Sequence, residues 1–351
     1  MHDLKQFKEI FDPILNSFVD KKTEEFQQNT KDVFIKDFVL YSKNLITGGG
    51  KRIRPYITYL TYKSFGGKSE KEIMNILVSL ELFHNFCLIH DDVMDKGKTR
   101  HGQTTIHEFV LEKLKKEKRI GDLEHIANSQ AILIGDVIYS WLTDLFFENK
   151  NLKNLEITKQ YFYKMIDEVI MGQIIDINLI SIQNPSYDLI EEKTRLKTSR
   201  YSFVRPMQIG AILANPDYGK DDLFENLGTK LGMAFQMQDD LLDIIGNPKD
   251  IQKTPLLDIV QHQHTFFTNF VLSKGTNDQR TYLNKVFGKN IMGKEDEIRN
   301  MFLESGAIDA GKKIIDQNFN EAKKLVENSP LELQYKQRLI ELIKLIEDRQ
   351  N

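Results

Sequence analysis

The chain has 351 residues, 40% of them hydrophobic and 28% charged, with a formal net charge of -3 at pH 7. That is enough apolar material for a sizeable core, and too balanced a charge for a long disordered tail or a chain-wide basic footprint on nucleic acid. A single cysteine, Cys87, excludes an internal disulfide and fits a reducing cytoplasm.

The N-terminal MHDLKQFKEIFDPIL interleaves charges with apolar residues. No segment offers the roughly eighteen uninterrupted apolar residues of a spanning helix, so no membrane span is expected. The first stretch with chemical content is TGGGKRIRPYI. Its glycines allow close backbone approach, Lys51, Arg52 and Arg54 supply positive charge, and Pro55 marks a helix start whose free N–H groups suit an anion. Such a loop would clasp a diphosphate. It is not a Walker loop, because the spacing is wrong and no βαβ pattern surrounds it; an exposed basic turn is the plainer alternative.

Next, EIMNILVSLELFHNF predicts a helix on which Leu77, Leu80, Phe83, His84, Cys87 and Leu88 recur at three- and four-residue steps. Asp91 and Asp95 of IHDDVMD extend that core-facing stripe, where an unpaired charge is costly. His90 beside them reads as a hydrogen-bonded packing histidine. Arg100 and His101 follow just past the predicted helix end, and guanidinium forks suit phosphate oxygens. EKLKKEKRIGDLEH reads as an exposed connection, while AILIGDVIYSWLTDLFF and KQYFYKMIDEVIMGQIIDI predict two more helices and Pro206 a helix start or break. Period-two alternation is scarce throughout. GMAFQMQDDLLDIIG then repeats the anomaly, with Gly232, Phe235 and Gln236 preceding Asp239 and Asp243 on one face, and GNPKDIQKTP follows as a loop. No connection looks like a domain boundary and no repeat of fixed period occurs, so one all-α domain over residues 1–351 is expected.

On a helix, carboxylates at i and i+4 lie about 5–6 Å apart at Cβ and repel unless something positive intervenes. All-oxygen ligand sets suit Mg2+, which keeps several waters and is commonly shared between carboxylates and phosphates. One DDxxD alone could be a solvated acidic face. Two of them on apolar stripes argue for metal.

In this order GGGKRIRP, LIHDDVMD, RHGQTTIH, GQIIDI, KTSRYSFVRPMQIGA and FQMQDDLLD resemble the trans-isoprenyl diphosphate synthases, and the resemblance covers the chain from about Gly48 to Thr265. Within that family the chain is similar to the short-chain enzymes, notably geranylgeranyl diphosphate synthases. The resemblance implies a single-domain helical bundle around a central cavity, the isoprenoid synthase fold. Asp91, Asp92 and Asp95 would face Asp239, Asp240 and Asp243 and hold Mg2+, three ions when substrate is bound, on an allylic diphosphate. Arg100, Lys197 and Lys253 would contact that diphosphate. Gly50, Lys51, Arg54 and His84, with His101, would hold isopentenyl diphosphate, and Thr198 and Gln236 would line the path of the developing cation. The catalytic set would be Asp91, Asp92, Asp95, Lys197, Thr198, Gln236, Asp239 and Asp240. The implied reaction is a head-to-tail trans condensation with a dimethylallyl, geranyl or farnesyl primer, in a cytoplasmic homodimer. Phe86 and Cys87, just before the first motif, would limit chain growth at geranylgeranyl diphosphate, with farnesyl diphosphate next.

Several positions depart from the family pattern. His101 stands where a second arginine is usual, QTT replaces a proline-containing turn, the loop after the second motif lacks glycines, and Gln263 stands where a second lysine is common. Gly135 with Asp136, and Gly172, Gln173 and Asp176, resemble family helix positions near the cavity. Two alternatives stay open: a catalytically weak partner subunit of a heteromeric synthase, and a terpene cyclase or phosphohydrolase on the same scaffold. The basic clasp discriminates against the latter pair, which have no second diphosphate to bind.

Overall fold

The computed structural model describes residues 2–100, 102–149, 152–220, 222–246 and 256–348. His101 and Lys253, and nearly all of the loop GNPKDIQKTP, lie outside the described residues. Among the described residues the chain is helical apart from one two-stranded hairpin, in agreement with the all-α expectation. It divides into two compact units, one of Met1–Tyr59 with Lys68–Leu155 and one of Leu60–Gly67 with Glu156–Asn351.

The first unit is built from α1 (His2–Gln28), α2 (Val33–Thr47), most of α3 (Ile53–Ser64), α4 (Glu70–Met94), β1 (Thr99–Arg100), β2 (Gln103–Thr104), α5 (Ile106–Lys116) and α6 (Leu123–Phe147). Its core helix is α4, on which Ile73, Ile76, Leu77, Leu80 and Phe83 are almost fully buried. Ser79 Oγ donates to the Leu142 carbonyl at 3.3 Å and ties α4 to α6. The rings of Phe7, Tyr56 and Tyr59 bring α1 onto the start of α3. The exposed connection after α5 is shorter than the charge pattern suggested: Leu111 and Leu114 are still buried, so the helix runs to Lys116 before the chain turns. The hairpin was not expected, since strands of two residues are too short to show an alternation; Thr99 pairs with Thr104 and Arg100 with Gln103 around Gly102 at φ +74°. By length and composition alone, α4 and α6 could each cross a membrane, but 61% of the apolar window of α4 is buried inside the protein, as in a core helix, against 39% for α6.

In the second unit α7 (Leu155–Leu179) and α8 (Tyr187–Thr194) lead into a ten-residue π-helical segment, Arg195–Val204, followed by α9 (Arg205–Ala214), a 3-10 turn (Pro216–Lys220) and α10 (Asp222–Ile245). Then come α11 (Leu257–Val260), α12 (Phe266–Lys274), α13 (Asn277–Val286), α14 (Glu295–Glu304), α15 (Ala307–Glu327) and α16 (Leu333–Glu347). The centre is α10, packed by the π segment and by α15. Two glycines set these distances: a Cβ on Gly172 of α7 would lie 2.5 Å from the Lys197 nitrogen, and one on Gly232 of α10 would lie 2.2 Å from Ser199 Cα. Both helices therefore press directly on the backbone of the π segment, which a larger side chain would forbid. Pro206 is the second residue of α9, directly behind the π segment, where it can offer no backbone N–H to the preceding turn.

Candidate active site

In the first unit the glycine loop ends α2 and opens α3. Gly48 caps α2 through its N–H to the Asn44 carbonyl at 2.8 Å, and Gly49 and Gly50 hold φ +146° and +107°, values that a side chain would strain. Arg52 also has positive φ, +51°, and its side chain explains why that is tolerated. The guanidinium, 2% exposed, donates from Nε to Asp12 Oδ1 at 3.0 Å, from Nη1 to buried Glu81 at 2.5 Å and from Nη2 to the Ile46 carbonyl at 3.3 Å. Arg52 thus belongs to the framework rather than to an anion site. Anchored in this way, it leaves Lys51 exposed and Arg54 half-buried, with Arg54 Nη1 3.1 Å from His84 Nε2. A guanidinium can only donate, so His84 Nε2 is the acceptor in this contact.

The first acidic motif lies at the end of α4. Asp92 is 8% exposed, Asp91 and Asp95 half-buried. The hairpin swings Arg100 back over them: Nε donates to Asp92 Oδ1 at 2.8 Å, and Nη2 lies 2.7 Å from the same oxygen and 3.4 Å from Asp91 Oδ2. Burial works to lower the guanidinium's pKa, but attraction from Asp92, Asp91 and Asp95 outweighs it and the pKa is raised. Phe86, one turn before the motif, meets the rings of Phe83, Tyr139 and His90, and is half-buried like Cys87. His90 Nε2 lies 3.0 Å from the Ile132 carbonyl against Gly135, as a packing histidine would.

In the second unit Asp239, Asp240 and Asp243 end α10. Thr198 Oγ1 donates to Gln236 Oε1 at 2.7 Å, and Gln236 Nε2 donates to Asp240 Oδ1 at 2.8 Å, so the amide is held at both ends. Asp243 accepts the backbone N–H groups of Leu257 (3.0 Å) and Asp258 (3.1 Å), starting α11 and bringing a fourth acid, Asp258, to the motif. Burial first, then repulsion from Asp258, pushes Asp240 up to about 8 and Asp243 well above the usual carboxylate range. Lys197 Nζ donates to Asp176 Oδ2 at 2.6 Å, and Lys193 Nζ lies 3.2 Å from Asp176 Oδ1 and donates to the His264 carbonyl at 2.9 Å. Gln263 beside it is 7% exposed.

These donors fit Mg2+. The motif carboxylates are hard oxygen ligands, and the two buried ones in the second unit repel Asp258, a cost that a divalent cation relieves. Among the described residues no three acidic, histidine or cysteine side chains converge closely enough to hold an ion by themselves. Sequence reasoning did not single out Asp258, Lys193 or the Arg52–Glu81 pair. Asp258 carried a signal all the same, an acid inside the apolar run PLLDIV.

The polyprenyl synthetase family profile matches residues 38–304. The short chain isoprenyl diphosphate synthase of Methanocaldococcus jannaschii is 30% identical over 284 residues, 79% of this chain and 79% of that protein. The geranylgeranyl diphosphate synthase of Sulfolobus acidocaldarius is 29% identical over 329 residues, 89% and 91% of the two chains. Among solved structures, a geranylgeranyl pyrophosphate synthase of Corynebacterium glutamicum, complexed with isoprenyl diphosphate and magnesium, superposes with a TM-score of 0.88 at 26% identity, covering 97% of this chain and 98% of that one. The chain therefore belongs to the polyprenyl synthetase family and is a prenyltransferase of the trans-isoprenyl diphosphate synthase type.

Proposed function

We propose that this enzyme condenses isopentenyl diphosphate with an allylic diphosphate, head to tail, to give geranylgeranyl diphosphate, with farnesyl diphosphate as the next product in line. The observation that supports it most is that Arg52 turns inward onto Glu81 while Lys51 lies exposed and Arg54 meets His84 beside the glycine loop, a basic cluster besides the acidic motifs. Two diphosphates call for two such sites. Incubation with labelled isopentenyl diphosphate, each primer and Mg2+ tests it; release of phosphate or a cyclic hydrocarbon without chain extension would refute it.

In this mechanism the six motif aspartates would hold Mg2+, three ions with substrate bound, on the allylic diphosphate. The metal, when bound, stabilises the charge that develops on the leaving group as the C–O bond ionises. Arg100, Lys197 and Lys253 add donors to that diphosphate. Gly50, Lys51, Arg54, His84 and His101 hold isopentenyl diphosphate. Gln236, fixed by Thr198 and Asp240, presents its amide oxygen to the cation, and apolar walls keep water from quenching it. The final proton goes to the departing diphosphate, so no side-chain base is required. The enzyme acts in the cytoplasm without a membrane span and as a homodimer, which the exposed apolar stripe of Tyr163, Ile170, Met171, Ile174 and Ile177 on α7 supports. Sedimentation of Ile174→Asp, expected to be monomeric, checks this.

Two results are expected from these roles. Asp240 holds its proton up to about pH 8, so bound metal must displace it. Apparent Mg2+ affinity in the presence of inorganic diphosphate should fall as pH drops below that value, by up to about ten-fold per unit for one displaced proton. Calorimetry at pH 6.5, 7.5 and 8.5 reads the slope, and a flat profile would remove Asp240 from the metal site. Phe86→Ala deletes the ring packed on Phe83 and Tyr139 and should shift products beyond geranylgeranyl diphosphate, read by chromatography of the dephosphorylated alcohols. An unchanged product would place the length-limiting wall elsewhere.

A further inference from the structure

Asp176 is 4% exposed, and its two oxygens face two different ammonium groups, Lys193 at 3.2 Å from Oδ1 and Lys197 at 2.6 Å from Oδ2. The two lysines differ in their surroundings. The side chain of Lys193 is 11% exposed and anchored by its hydrogen bond to the His264 carbonyl, whereas that of Lys197 is 26% exposed. An ammonium that is to bind a diphosphate must loosen its hold on Asp176. Were Lys197 the only partner, that movement would strand a buried carboxylate, which is strongly unfavourable. With both lysines in place Asp176 is held at about 2, burial pushing up and the two ammonium groups pulling down, so it is ionised at working pH.

We propose that Lys193 is a positioning residue: by remaining on Asp176 it keeps that carboxylate neutralised and frees Lys197 to move onto the incoming allylic diphosphate. The plainer alternative is that Lys193 only fastens α8 to the chain at His264. The two differ in what removing Asp176 does. If Lys193 acts through charge, Lys193→Met leaves Asp176 gripping Lys197, and adding Asp176→Asn releases it. If Lys193 is only a fastener, the second substitution repairs nothing.

This inference rests on Lys197 being a diphosphate ligand, as proposed above, and the test separates the two claims. Binding of inorganic diphosphate with Mg2+ is measured by calorimetry, and KM for the allylic primer and for isopentenyl diphosphate by steady-state kinetics, on wild type, K193M, K193R and K193M/D176N. The expected result is about ten-fold or more weaker diphosphate binding and higher primer KM in K193M. The KM for isopentenyl diphosphate should stay within about two-fold, K193R should stay close to wild type, and the double variant should recover most of the loss. Unchanged diphosphate affinity in K193M, or a double variant no better than K193M, overturns the inference while wild-type elongation leaves the functional proposal standing. Wild type that neither elongates nor binds diphosphate overturns both. Should K193M not fold, K193M/D176N carries the test: affinity near wild type supports the charge role, and a ten-fold deficit refutes it.

Discussion

Asp91→Asn and Asp239→Asn are each expected to lower kcat/KM for the allylic primer on the order of 10^3-fold, because under the proposed mechanism each removes one charge from the set that would hold a metal worth several kcal/mol of transition-state stabilisation. The amide keeps the shape of the carboxylate, so melting temperature should hardly change. Neighbouring positions behave differently for reasons visible in the structure. Asp243 accepts one backbone N–H on each oxygen, and an asparagine can accept only one of them without turning its NH2 toward the other; Asp243→Asn should therefore lose stability as well as activity. Asp92 is engaged by Arg100, so Asp92→Asn should weaken the hold on that guanidinium and raise primer KM. Steady-state kinetics over a Mg2+ titration, with melting curves in parallel, separates these cases. Asp91→Asn and Asp239→Asn enzymes within ten-fold of wild type would end the metal assignment.

The parts of this site that were legible in the sequence are those where side-chain chemistry contradicts the local pattern. Asp91 and Asp239 stand on apolar stripes, and no folding force alone would put them there. The helices that carry them were legible for the same reason, through long 3.6-residue periodicity. What stayed hidden depends on backbone register and tertiary partners. Arg52 looks like Lys51 and Arg54 in GGGKRIRP, and only the positive φ at 52 and the distant Glu81 and Asp12 turn it inward. The π segment keeps an ordinary helical composition, and the close approach of its backbone to Gly172 and Gly232 is a tertiary contact that composition does not announce. Lys193 precedes Lys197 by four residues, a spacing common on solvated helices; its meaning comes from Asp176 on another helix.

Glu168→Ala is expected to destabilise the fold by about 3–5 kcal/mol, because it strands a buried arginine. Arg205, at 2% exposure, donates to both carboxylate oxygens of Glu168, Nε to Oε2 at 2.7 Å and Nη2 to Oε1 at 2.6 Å, while Arg200 Nη1 adds 2.7 Å to Oε1. Gln208 takes another of the Arg205 N–H groups. Burial alone would raise the Glu168 pKa, but the two arginines overcome it and the pKa is lowered, so its stabilisation is present above the ordinary glutamate range and lost in acid. The effect should be local to packing of α7 on the π segment and α9, and melting temperature should drop on the order of 10 °C. Asp296→Ala, which removes the partner of Arg299 from a site 94% exposed, should cost less than about 1 kcal/mol and serves as the control. Glu168→Leu combined with Arg205→Met should recover much of the loss, since the penalty arises from the unpaired charge rather than from the worth of the pair, and Arg200 keeps Glu225 at 2.5 Å. A Glu168→Ala protein melting within 2 °C of wild type would show that water or a rearranged Gln208 already satisfies Arg205, and that α7 is held to its neighbours by apolar contact alone.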